Sequence, residues 1–142
     1  MIEVVNNQRK NKIETEEFLS FAQKISEHFL PIKNKGFTVA FVSDRRMREL
    51  NKQFRGKNFT TDVLSFPYEA DDFETNDENL GDIIISVEQT IKQAAENNLD
   101  LETEIKQLIL HGVLHLCGYD HETDGGEMNA GELRLRDKLQ IN

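Results

Sequence analysis

The 142-residue sequence has one cysteine, two prolines and no tryptophan, and its apolar runs are all short. A lone thiol, Cys117, cannot close an intrachain disulfide, which fits a reducing compartment and a cytoplasmic location. No stretch approaches the roughly 20 apolar residues of a membrane span, so no membrane partner is expected. The opening Met1-Ile2-Glu3-Val4-Val5-Asn6-Asn7 lacks a basic region followed by an apolar stretch and does not read as a secretory signal. Positive charge is also scarce. Against 26 Asp/Glu there are 17 Lys/Arg, a net charge of −9 that argues weakly against a nucleic-acid partner. The length fits one domain, 1–142, with room for a buried core.

The distribution of charge says something different from its total. Residues 1–57 carry 12 Lys/Arg against 7 Asp/Glu, whereas residues 58–142 carry 5 against 19. Arg45, Arg46, Arg48, Lys52, Arg55 and Lys57 are interrupted only by Glu49. Such a stretch is either a solvated helix face or a local grip for phosphates on an otherwise acidic protein.

Periodicity predicts the elements. A short strand at Ile2–Val5 precedes a helix with Glu16 and Glu17 in its first turn and apolar residues from Phe18 to Leu30, closed by Pro31 and Gly36. Phe37–Val42 reads as a buried strand. A helix over 44–54, capped by Ser43 or Asp44, leads into a loop at 55–62. Val63–Tyr68 reads as a strand that ends on an edge because of Pro67. An acidic connection at 71–79 precedes the strand Leu80–Ser86, then helices at 87–97, from 101 into the histidine run, and at about 125–139. His28 reads as a surface or helix-end residue, Cys117 as core. The order β-α-β-α-β-β-α-α-α predicts an α+β domain, a small mixed sheet of about four strands packed with about five helices.

Three of the four histidines fall in the run His111-Gly112-Val113-Leu114-His115-Leu116-Cys117-Gly118-Tyr119-Asp120-His121. Residues i and i+4 of a helix lie about 40° apart around the axis, so His111 and His115 share a face. Gly118 can take the left-handed conformation that ends a helix, and the returning chain would bring His121 toward the other two. Three neutral imidazoles suit a zinc ion that keeps its fourth position open, although imidazole also suits other transition metals. A metal site at the C-terminal end of a buried helix is the expectation.

These residues resemble the signature of the YbeY family of bacterial single-strand-specific endoribonucleases. Leu50-Asn51-Lys52-Gln53-Phe54-Arg55-Gly56-Lys57, running into Thr61-Asp62-Val63-Leu64-Ser65-Phe66-Pro67, resembles the family's central motif. Leu80-Gly81-Asp82-Ile83-Ile84-Ile85-Ser86 resembles its strand motif. The resemblance implies zinc on His111, His115 and His121, and a role for Arg55 in catalysis or RNA binding. It also implies 16S ribosomal RNA 3′-end maturation and ribosome quality control, with single-stranded ribosomal RNA and the small ribosomal subunit or ribosome-associated proteins as partners. One departure is Thr60, where the family commonly has a proline that would stiffen the loop carrying Arg55.

Metalloproteases of the His-Glu-x-x-His-x-x-Gly-x-x-His type share the histidine spacing, but their general base sits where this chain has Gly112. That argues against peptide hydrolysis by the usual route and shifts the work to the metal, which lowers the pKa of bound water to about 7. Asp120, the nearest acid in sequence, would orient a histidine or accept a proton. Arg55 offers a fixed fork of donors for phosphate oxygens. Thr61 and Asp62 are expected to pin the loop, and Ser65 to satisfy a strand end or touch substrate. Gly81 suggests a bulge or close backbone approach, and Asp82 a turn cap. The competing class is a ribosome-associated factor whose zinc is structural, which a fourth protein ligand would favour.

Overall fold

A computed structural model of the chain describes residues 1–68, 79–118 and 127–139. The side chains of Leu30 and residues 127–131 lie outside that description, as do Asp120, His121 and the ligand and proton-acceptor roles expected of them. Among the described residues four strands, β1 (Glu3–Asn6), β2 (Gly36–Val42), β3 (Val63–Pro67) and β4 (Asn79–Ser86), join five α-helices. The helices are α1 (Thr15–His28), α2 (Asp44–Arg55), α3 (Val87–Glu96), α4 (Leu101–Leu116) and α5 (Glu127–Leu139). The element order and the α+β class are those predicted from periodicity. Among the described residues no helix is long and apolar enough to cross a membrane.

The sheet runs β1-β2-β4-β3, with β1, β2 and β4 parallel and β3 antiparallel at the edge. Alternation along each strand separates two layers. Phe37, Val39 and Phe41 of β2 and Ile83 and Ile85 of β4 face the main core, built with α1 and α4. Val42, Leu64, Phe66 and Ile84 face the other way, against Met47 and Leu50 of α2. On β3, Val63 packs toward the main core, so Ser65, two residues on, shares that face.

Local chemistry sets the ends of the elements. Ser43, rather than Asp44, caps α2 by accepting from the Arg46 amide at 3.2 Å. Asp44 instead accepts from the Thr60 hydroxyl at 3.1 Å and from the Ser86 hydroxyl, tying the loop before β3 to the end of β4. Asp100 caps α4, accepting from the Thr103 amide at 2.7 Å, and the hydrogen bonds from Thr103 hold its carboxyl below the usual aspartate range. His28 is the exposed last residue of α1, and Cys117 packs on the core, where burial pushes its thiol up.

Gly81, at φ +135°, does make a close backbone approach, to β3 rather than to a ligand: a Cβ there would lie 2.2 Å from the Phe66 carbonyl oxygen. Asp82 stands within β4, opposite Phe66, and is exposed, so the turn-cap expectation does not hold. Asp62 behaves as expected, accepting from the Val63 amide at 2.8 Å and the Thr61 hydroxyl at 3.2 Å.

Candidate metal centre and cleft

Helix α4 is sunk into the core along most of its length. Ile105, Ile109, Leu110, Val113 and Leu114 are buried, whereas His111 and His115 reach the surface on one face near its end. The helix stops at Leu116 and Gly118 takes φ +92°, the left-handed turn anticipated for it.

The Nε2 atoms of His111 and His115 are 3.0 Å apart, with ring planes at 72°. Two nitrogens bound tetrahedrally to one zinc ion at about 2.0–2.1 Å stand about 3.3 Å apart, so the pair fits two ligands of a single ion. A third observation supports that fit. Nδ1 of His111 is 3.2 Å from Oε1 of Glu132. An ionised carboxylate only accepts, so Nδ1 is the donor in this contact, and in the neutral ring that leaves the Nε2 lone pair on the side of His115. This is the carboxylate–histidine arrangement that orients metal ligands.

Glu132 was not found from the sequence. It lies on α5, is 6% exposed, and accepts at Oε2 from Nη2 of Arg136 at 3.3 Å. A carboxylate this buried requires such partners. The available signal was the Glu132–Arg136 spacing of i,i+4 flanking the buried Leu135. It is a weak signal, because the same spacing commonly decorates exposed helices.

His111 and His115 open on a cleft of about 330 Å³ lined also by Arg55, Val63, Leu64 and Ser65. Edge strand β3 forms one wall. Arg55 arrives from the last turn of α2, whose body packs on the opposite face of the sheet. Gly56, left-handed at φ +70°, ends the helix beside it. The structure thus brings Arg55 to the two histidines although more than fifty positions separate them in sequence, and puts Ser65 in the cleft rather than leaving it a strand-end residue. On the other side of His111 a larger cleft, about 620 Å³, runs past Asp62, Gln93, Gln107, Glu132 and Arg136.

Gly112 faces away from this cleft. A Cβ at that position would lie 2.8 Å from Cγ2 and 3.0 Å from Cγ1 of Ile83, which is fully buried in β4. The slot that a protease fills with its glutamate is occupied here by the sheet.

A four-stranded mixed sheet, a buried helix ending in a histidine pair of which His111 meets a buried carboxylate, and an arginine in the same cleft define a small α+β protein with a hydrolase-like polar cleft. A family model described as Endoribonuclease YbeY matches residues 3–140, and the chain belongs to the YbeY family. Endoribonuclease YbeY of Clostridioides difficile is 36% identical over 152 aligned residues, covering 99% of this chain and 98% of that protein. Endoribonuclease YbeY of Nautilia profundicola is 42% identical over 118 residues, covering 83% and 82%. The solution structure of TM1509 from Thermotoga maritima matches with a TM-score of 0.68 at 29% identity, over 98% of this chain and 89% of that one.

Proposed function

We propose that the chain is a metal-dependent, single-strand-specific endoribonuclease of the cytoplasm, acting in 16S ribosomal RNA 3′-end maturation and ribosome quality control. Its partners in this reading are single-stranded ribosomal RNA and the small ribosomal subunit or proteins associated with it. The observation that carries the reading is the meeting of Arg55, His111 and His115 in one cleft along β3, in a chain whose relatives are named endoribonucleases.

His111, His115 and His121 would hold one zinc ion. Zinc bound there supplies a Lewis acid that polarises water or a phosphoryl oxygen. Arg55 binds the scissile phosphate through its planar fork and offsets the charge that grows on its oxygens. Glu132 keeps the His111 ring in the tautomer that leaves Nε2 free to coordinate. Ser65, on the β3 wall, is a hydroxyl within reach of substrate oxygens in the same cleft. Gly112 contributes no base, and Asp120 is the acidic side chain assigned to orient a histidine or accept the proton.

The test is cleavage of single-stranded against double-stranded RNA by the pure protein, with zinc content measured in parallel. His111→Ala should lose both metal and cleavage, and Arg55→Glu should keep metal but lose cleavage. Cleavage that persists in metal-free protein would remove zinc from the scheme, and undiminished cleavage by Arg55→Glu would remove Arg55. A fourth protein ligand on the ion would instead favour a ribosome-associated factor with structural zinc.

A further inference from the structure

Three large aromatic side chains stand exposed in the segment that builds the cleft: Phe54 at 58%, Phe59 at 56% and Tyr68 at 45%. Phe54 immediately precedes Arg55, and its ring meets Phe66 edge-on at 5.2 Å while most of it faces solvent. Phe59 lies in the loop between α2 and β3. Its ring is out in solvent, yet its carbonyl is held directly and the side chains of its two neighbours are tied to α2. The fully buried Asn51 donates to the Phe59 carbonyl at 2.8 Å, Arg48 donates to Asn58 at 3.0 Å, and Thr60 donates to Asp44 at 3.1 Å. A fixed backbone under an exposed ring is pre-organised for contact, so little ordering remains to be done on binding.

The exposed charges along the segment that carries Phe54 and Phe59 are mainly basic. Arg48, Lys52, Arg55 and Lys57 are exposed, and among the described residues none of them pairs with a carboxylate. The Lys57 ammonium stands 5.9 Å from the centroid of the Phe59 ring. This is a basic, aromatic surface on a chain whose net charge is −9. Cations for phosphates interleaved with flat apolar faces for bases are the chemistry by which single strands are held without sequence reading. A duplex keeps its bases stacked on one another and offers none to such rings.

We propose that Phe54 and Phe59 are base-stacking platforms that select single-stranded RNA and lead it to Arg55, with Arg48, Lys52 and Lys57 on the flanking phosphates. The inference deepens the ribonuclease reading and rests on it. It adds a source of strand selectivity outside the metal centre.

The experiment is fluorescence anisotropy of a labelled 12-nucleotide oligoadenylate and of a labelled blunt-ended RNA duplex, titrated with the full chain and with Phe54→Ala, Phe59→Ala and Phe59→Trp. Each alanine variant should bind the single strand about tenfold more weakly and the duplex within twofold of the parent. Phe59→Trp should restore single-strand binding. The dependence of affinity on salt should be unchanged in Phe59→Ala and shallower in Lys57→Ala, since only the lysine displaces counterions. Alanine variants that bind the single strand like the parent, or that lose both RNAs equally, overturn the proposal. If Phe54→Ala fails to fold because Phe66 loses its neighbour, Phe59→Ala decides alone. A parent chain that neither binds nor cleaves RNA sinks the ribonuclease reading itself, which is a different result from a parent that does both and is indifferent to the two rings.

Discussion

Nδ1 of His111 donates to the buried carboxylate of Glu132 across 3.2 Å, joining the end of α4 to a helix that begins beyond the histidine run. Arg136 holds the other carboxylate oxygen. In the proposed metal site, this contact decides which ring nitrogen of His111 faces the ion.

Glu132 should therefore tune metal affinity without touching the ion. Glu132→Gln keeps an acceptor for Nδ1 but loses the charge, and Glu132→Ala loses both. Zinc affinity is expected to fall by roughly 10- to 100-fold in the alanine variant and by less in the glutamine variant. Competition with a chromogenic chelator measures it. Equal affinity in all three proteins would show that the contact only packs α5.

Gly112 sets a second expectation. Its missing Cβ would press on Cγ2 and Cγ1 of Ile83, both close to a β-branched backbone position and unable to swing away. Gly112→Ala should cost about 1–3 kcal/mol of stability by overpacking, despite alanine's better helix propensity. Ile83 Cδ1 would also lie 2.9 Å from that Cβ, and adding Ile83→Val removes this contact alone, so it should recover only part of the loss. A Gly112→Ala protein that melts at or above the parent would mean that β4 yields at this point.

These two contacts mark where the sequence stops being readable. The strands and helices were legible because their apolar residues recur with period two or 3.6, and that signal is local. His111 and His115 were legible for the same reason, being one turn apart on one helix. Arg55 was visible as part of a motif, but its arrival at the histidines depends on α2 lying on the opposite face of the sheet and ending at the β3 edge. Glu132 carried no comparable mark, since its partner is on another helix and its own helix looks like an ordinary charged one. Gly81 was marked as a close approach. Its partner, the Phe66 carbonyl, follows from strand register, which local pattern does not specify. Ser65 was ambiguous until the alternation of β3 put it on the histidine side.

The bridge between α1 and α4 predicts a pH dependence. Burial opposes the charge on Lys106, but its hydrogen bonds to Glu102 at 2.7 Å and Glu17 at 2.9 Å outweigh that and hold its pKa above the ordinary lysine value. The same contact with Lys106 lowers Glu17. The raised lysine contributes stability that is fully present below its unfolded value, about 10.4, and is lost as pH rises through the folded value. The lowered glutamate contributes above about 4.3 and loses its share as pH falls through its folded value. Lys106→Met should thus melt below the parent across the neutral range. The gap should close toward pH 3, which thermal melts in a pH series would reveal. A gap of constant size at every pH would assign the effect to packing against Phe21 instead, whose ring centroid is 5.6 Å from the ammonium.

Thr60 stands where the family commonly has proline, and the structure shows another means of restraining the same loop: its hydroxyl donates to Asp44 while Asn51 holds the neighbouring Phe59 carbonyl. Thr60→Val removes the donor and keeps the shape. The expected loss is about 0.5–1.5 kcal/mol, with faster amide hydrogen exchange confined to residues 57–62. Asn51→Ala strikes harder, because it opens a fully buried site and strips a backbone carbonyl of its partner, at about 1–3 kcal/mol. Both substitutions leave every cleft-lining side chain in place, so zinc affinity should not change. If the loop is what presents Phe59 and aims Arg55, RNA affinity should fall in step with the exchange rates; loosened amides with undiminished RNA binding would show that the loop's rigidity serves the fold alone.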